Sequence, residues 1–168
     1  MLSSVRVMVF LHGTAIMHTS AVSQPRAERV SQSRRRDASV LDFGAYVPTE
    51  DAVAKVHAWQ RHGADICYLS SHTGAADVAL DRAVLAGHGF VPGMVFFREP
   101  GETYADVARR ADADVVVEDD CESIGGEGEM AYPHLQPEEQ ARITGIVVRE
   151  FEGIDHLPDA HVELIRHI

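Results

Sequence analysis

The chain of 168 residues carries 26 acidic against 15 basic side chains, a net charge of −11 with histidine neutral. That length fits one core of ordinary size, burying roughly two-thirds of the unfolded chain's surface, so a single domain over residues 1–168 is expected. An apolar fraction of 45% excludes disorder, no apolar run reaches the ~18 residues of a membrane span, and the acidity argues against a nucleic-acid partner, whose backbone is bound through Lys and Arg.

Residues 5–11 are continuously apolar apart from Arg6 and read as a first strand. They are too short for a signal-peptide core followed by a cleavage site. Cys67 and Cys121 fit no CxxC or zinc-knuckle spacing, which points to a reduced, cytoplasmic setting. Residues 15–46 are polar and contain Arg34-Arg35-Arg36. They read as an insertion or mobile arm, and the arginine-rich segment 26–36 is either a solvated face or a lid that contacts an anion.

Over residues 50–62 the spacing of Ala52, Val53, Val56 and Trp59 predicts a helix stopped by Gly63. Ala76, Leu80, Ala83 and Val84 repeat the pattern before Gly87, and Tyr104, Val107, Ala108 and Ala111 repeat it again. Between these helices lie apolar runs at 66–69, 94–97 and 115–117. Such runs suit strands buried on both faces of a parallel sheet. The order βαβαβαβ predicts an α/β/α three-layer sandwich with a mainly parallel sheet. Beyond it come an acidic glycine-rich loop at 125–129, a short helix near 137–143 and a possible fifth strand at 146–148.

In an open parallel sheet the ligand site lies beyond the carboxyl ends of the strands. The residues following the four runs are His12-Gly13-Thr14, Ser70-Ser71-His72-Thr73, Arg98-Glu99-Pro100 and Glu118-Asp119-Asp120. Hydroxyls next to a helix start, an arginine and paired carboxylates are the parts of a phosphate and hard-cation site.

This order of motifs, over residues 5 to 120, resembles the haloacid dehalogenase-like (HAD) superfamily of phosphohydrolases. Phe10-Leu11-His12-Gly13-Thr14 stands in the place of the family's Asp-x-Asp-Gly-Thr, and Ser70 ends the strand of its second motif. Arg98-Glu99-Pro100 loosely matches its third, basic motif, and Glu118-Asp119-Asp120 its acidic fourth. The resemblance implies a Rossmannoid fold, with residues 15–46 in place of a full cap. It also implies phosphate contacts from Thr14, Ser70, Ser71 and Arg98, and Mg²⁺ held by Asp119 and Asp120. The departure is at the nucleophile, where Phe10 cannot form an aspartyl-phosphate, and no shift of register helps because the first Asp in the chain is Asp37. His12 replaces the family's general acid and base, a role an imidazole can fill near neutral pH.

Three functions follow as expectations. One is a HAD-like protein without the catalytic aspartate that binds a phosphorylated small molecule and a divalent cation. Another is a metal-dependent phosphoester hydrolase using His12 without a covalent step. The third is a scaffold without ligand. Each residue also has a structural alternative: His12 as a hydrogen-bonded core histidine, Ser70, Ser71 and Thr73 as caps of the helix near Gly74, and Arg98 as a surface ion pair with Glu99 or Glu102. The histidines show no HExxH spacing, although His12, His18 and His72 could be gathered by the fold.

Overall fold

The computed structural model describes residues 4–165. In chain order its elements are β1 (Arg6–Phe10), β2 (Ile16–Met17), α1 (Arg26–Arg35), β3 (Val47–Pro48), α2 (Ala52–Arg61), β4 (Asp65–Leu69) and α3 (Ala75–Gly87). There follow β5 (Val95–Phe96), α4 (Tyr104–Arg110), β6 (Val115–Asp119), α5 (Pro137–Arg142), β7 (Thr144–Val148) and α6 (His161–Ile165). Five strands make one sheet in the order β5-β4-β1-β6-β7. Every pairing in it is parallel.

Successive side chains of a strand point to opposite faces, and here both faces are covered. Val7, Val9, Ile66, Tyr68, Val115 and Val117 pack against Val56 and Trp59 of α2, Val78 and Leu85 of α3, and Leu164 of α6. On the other face Met8, Phe10, Cys67, Leu69 and Val116 meet Tyr104, Val107 and Ala108 of α4. The three-layer α/β sandwich is therefore present. Trp59 anchors it, fully buried with its indole N–H donating to the Pro158 carbonyl at 2.8 Å. Among the described residues, no helix is long and apolar enough to cross a membrane.

Two strands differ in extent from their apolar runs. The fourth run continues as a strand through Glu118 and Asp119, which pair with Val147 and Val148 of β7. Hydrogen bonding from β7 carries the strand past the last apolar residue. The third run contracts to Val95–Phe96, and Met94 is exposed.

Past β1 the chain makes a tight turn, with the Ala15 and Ile16 amides both donating to the Leu11 carbonyl. It then pairs β2 with β3 in a small antiparallel ladder. The polar segment between them is folded onto the body, not a loose arm. Arg29 of α1 is buried and its guanidinium donates to the carbonyls of Ala21 and Phe151 and to Glu50. A satisfied buried arginine ties three segments together. Arg34 and Arg35 are exposed and paired with acids at the surface.

Candidate functional site

A cavity of about 290 Å³ opens at the carboxyl edge of the sheet. Its walls come from the ends of β1 and β6, the loop after β4, the segment after β7, and the inserted residues 33–46. The two walls carry different chemistry.

The first wall is built on Asp81, a fully buried carboxylate in the middle of α3. Its Oδ1 accepts from His12 Nε2 at 3.1 Å, and its Oδ2 accepts from His72 Nδ1 at 3.0 Å and from the Ser70 hydroxyl at 2.5 Å. Burial alone would raise the Asp81 carboxyl, but the hydrogen bonds from His12, His72 and Ser70 outweigh it and hold the group below the usual carboxylate range. An ionised carboxylate only accepts, so His12 Nε2 carries the proton and Nδ1 keeps a lone pair. That lone pair faces the Ser71 hydroxyl at 2.8 Å. Burial lowers the affinity of His12 for a second proton, against the pull of Asp81, which favours the neutral ring. The edge of Tyr46 and the tilted ring of His72 confine it.

The opposite wall is acidic and short of donors. Asp119 is 3% exposed. Its Oδ1 receives only a long contact from the Cys121 thiol, 3.6 Å, and its Oδ2 has no hydrogen-bond partner among the described residues. Burial, and next the Glu150 carboxylate, push its pKa well above the ordinary value. Glu150 is buried and also raised, chiefly by burial, although the Ser123 amide and hydroxyl donate to it. Gly13 makes this wall possible. It has φ +88°, and a Cβ there would lie 2.6 Å from Asp119 Oδ2, so only glycine lets β1 and β6 close on the carboxylate.

The predicted site residues are distributed unevenly. His12, Ser71 and Asp119 line the cavity together. Asp120 does not line it. Its Oδ1 accepts from the Glu122 and Glu150 amides while Arg26 approaches to 4.0 Å. Glu118 points to the opposite face from Asp119, as strand alternation requires, and accepts from the Ala131 and Tyr132 amides. Thr14 is fully buried away from the cavity, its hydroxyl without a partner among the described residues. Ser70 is occupied by Asp81, and no side chain caps α3. Arg98 stacks on the Tyr104 ring at 4.2 Å and lines a neighbouring depression with Glu102 and Glu129. Among the described residues, Arg36 is the one arginine or lysine lining the main cavity, and no acid lies within ion-pair reach of it. Of the three histidines, His12 and His72 meet. His18 instead bonds Gln32 at 2.8 Å, further along the same wall.

Sequence reasoning missed Asp81 and Glu150. Asp81 had a signal, because it lies three residues beyond Val78 and three before Val84, on the buried stripe of its helix. Glu150 follows β7 at the same sheet edge as the other site residues, where the carboxyl-end rule would have found it.

No protein-family model and no curated protein matches this sequence. Among solved structures, a chain of a Pnkp1/Rnl/Hen1 complex is similar, with a TM-score of 0.52 and 8% sequence identity over 88% of this chain. This chain spans about half, 47%, of that one. Identity this low supports the α/β fold and carries no chemistry across.

Proposed function

We propose that this chain is a HAD-like protein that binds a small phosphorylated molecule together with a divalent cation, without aspartyl-phosphate chemistry. The observation that carries it is the orphaned Asp119 Oδ2, buried beside Glu150 at the junction of β1 and β6. A carboxylate in that position costs free energy until a cation or donor reaches it. Carboxylate oxygens of Asp119 and Glu150 are the hard donors that Mg²⁺ prefers, so the residues present fit the ion. A bound cation supplies the positive charge that lets phosphate oxygens enter an acidic pocket. Arg36 at the mouth adds a charge free to pair with an anion.

Phe10 stands where the family resemblance puts a nucleophile, and it packs edge-on against Tyr104 at 5.3 Å. No phosphoenzyme should form. The binding reading is preferred to direct activation of water on a phosphoester by His12, because while Ser71 is a free hydroxyl both ring nitrogens are engaged, by Asp81 and Ser71. Both cysteines are free and buried, and a reduced cytoplasmic setting belongs to the same proposal.

The test is thermal unfolding with Mg²⁺, with and without a phosphate monoester. At a hundredfold excess over Kd, a ligand of the native state adds about 2.7 kcal/mol, or a Tm rise of roughly 5–10 °C. Wild type should show it and Asp119→Asn should not. A wild-type protein indifferent to Mg²⁺ and to the ester would sink the proposal.

A further inference from the structure

The Asp81 wall contains more than a binding site needs. Ser71 Oγ, His12 and Asp81 form a continuous relay, 2.8 Å from hydroxyl to Nδ1 and 3.1 Å from Nε2 to carboxylate. We propose that Ser71 is a nucleophile, activated by His12 and oriented through Asp81, that cleaves small carboxylic esters entering the cavity.

The three roles follow from the hydrogen bonds. Asp81 is fully buried and fixed by two further donors, Ser70 and His72, so its Oδ1 is a rigid acceptor. It therefore sets the His12 tautomer, and the free lone pair can only face the serine. The nitrogens are used in the reverse sense of the familiar serine-hydrolase arrangement, with Nδ1 toward the hydroxyl, and an imidazole can accept a proton at either nitrogen when the other carries one. His72 and Ser70 complete the hydrogen bonding of the Asp81 carboxylate. Ser71 is half-buried and lines the cavity, so its oxygen is reachable. Phe43, Tyr46 and Leu41 give the approach an apolar surface suited to a short acyl or aryl group.

The chemistry balances with water as the only co-reactant. Ser71 Oγ bonds to the acyl carbon as its proton moves to His12 Nδ1, and the carbonyl pair shifts onto oxygen. Collapse breaks the bond to the alkoxy group, which leaves as an alcohol carrying the proton from His12. Water then attacks the acyl-serine with His12 again taking the proton, releasing the carboxylic acid and restoring Ser71.

The deciding experiment is incubation of the purified protein with an alkyl fluorophosphonate, read by intact mass and peptide mapping, beside turnover of p-nitrophenyl acetate. One adduct on Ser71 is expected, absent in Ser71→Ala and formed roughly a hundredfold or more slowly in His12→Ala. Because His12→Ala and Asp81→Asn alter a buried network, each is compared only where its thermal melt stays cooperative. Ser71→Cys supplies an independent readout. Cys67 and Cys121 are buried, so the new thiol should be the one iodoacetamide modifies, and faster than an ordinary exposed cysteine at neutral pH. Labelling of wild type should run at the same rate in EDTA as in Mg²⁺, which separates this inference from the binding proposal. No adduct on wild type, an adduct elsewhere, labelling indifferent to His12→Ala, or a sluggish Ser71→Cys thiol would each overturn it.

Discussion

Two buried carboxylates flank the same cavity, Asp119 in its lining and Asp81 behind His12 and His72, and they behave oppositely. Asp81 collects three side-chain donors and sits below the usual carboxylate range. Asp119 collects one weak thiol contact and a like-charged neighbour, and sits above it. Burial is a cost for both, so the sign is set by whether donors were supplied. The contrast separates a wall whose polar network is complete from a wall that lacks a positive partner.

The sharpest way to break the comparison is to remove the satisfied carboxylate. Asp81→Ala strands His12, His72 and Ser70 at once, and should cost about 3–5 kcal/mol in urea unfolding. Asp81→Asn, which keeps one acceptor, should cost less. A loss below about 1 kcal/mol for Asp81→Ala would mean that the network is slack.

Next in size is Gly13→Ala, which forces a Cβ against Asp119 at a positive φ. A loss of about 2–3 kcal/mol is expected. Equal stability to wild type would show that the acidic wall is looser than described.

Asp119→Asn should move stability the other way, by about 1–3 kcal/mol upward in metal-free buffer, because it removes a buried charge with no partner. Asp120→Asn should be near neutral or slightly destabilising, since that carboxylate already accepts backbone amides.

The pH profile carries the same opposition. Asp119 and Glu150 bind protons more tightly folded than unfolded, so their contribution is present below about pH 4 and is lost as pH rises through their elevated values. Asp81 is the reverse, its contribution present above about pH 4 and lost as pH falls through its depressed value. In EDTA, the urea midpoint of wild type should therefore fall relative to that of Asp119→Asn between about pH 5 and neutrality, the opposing gain from the lowered His12, His18 and His161 being common to both. The gap should narrow with Mg²⁺. A profile of the same shape in both proteins would remove the argument for an uncompensated acidic wall.

The smallest effect belongs to Arg36, exposed at the mouth. Arg36→Ala should leave stability within about 0.5 kcal/mol and weaken the phosphate-ester-dependent part of the thermal shift. An unchanged ester response would take the arginine out of the binding site.

The layer order and the parallel sheet were legible in the sequence because they depend on local signals. Residues 7–11, 66–69 and 115–117 are apolar at consecutive positions, and only strands covered on both faces need that. Trp59 and its helix neighbours recur at the helical period because one stripe faces the sheet. The position of the cavity was legible for the same reason: His12 and Ser71 follow, and Asp119 ends, strands that run in one direction, so these residues share an edge. What the tertiary structure alone decided was which neighbours each polar group would meet. Nothing local distinguishes Asp119 from Asp120, yet strand geometry and the closeness of Gly13 bury one and leave the other on backbone amides. Asp81 is one acid among several on helices, and it becomes the centre of a network only because α3 packs its middle turn against the ends of β1 and β4. Apolar patterning is written residue by residue, whereas hydrogen-bond partnership depends on atoms within about 3 Å that are here separated by as many as 69 positions in the chain.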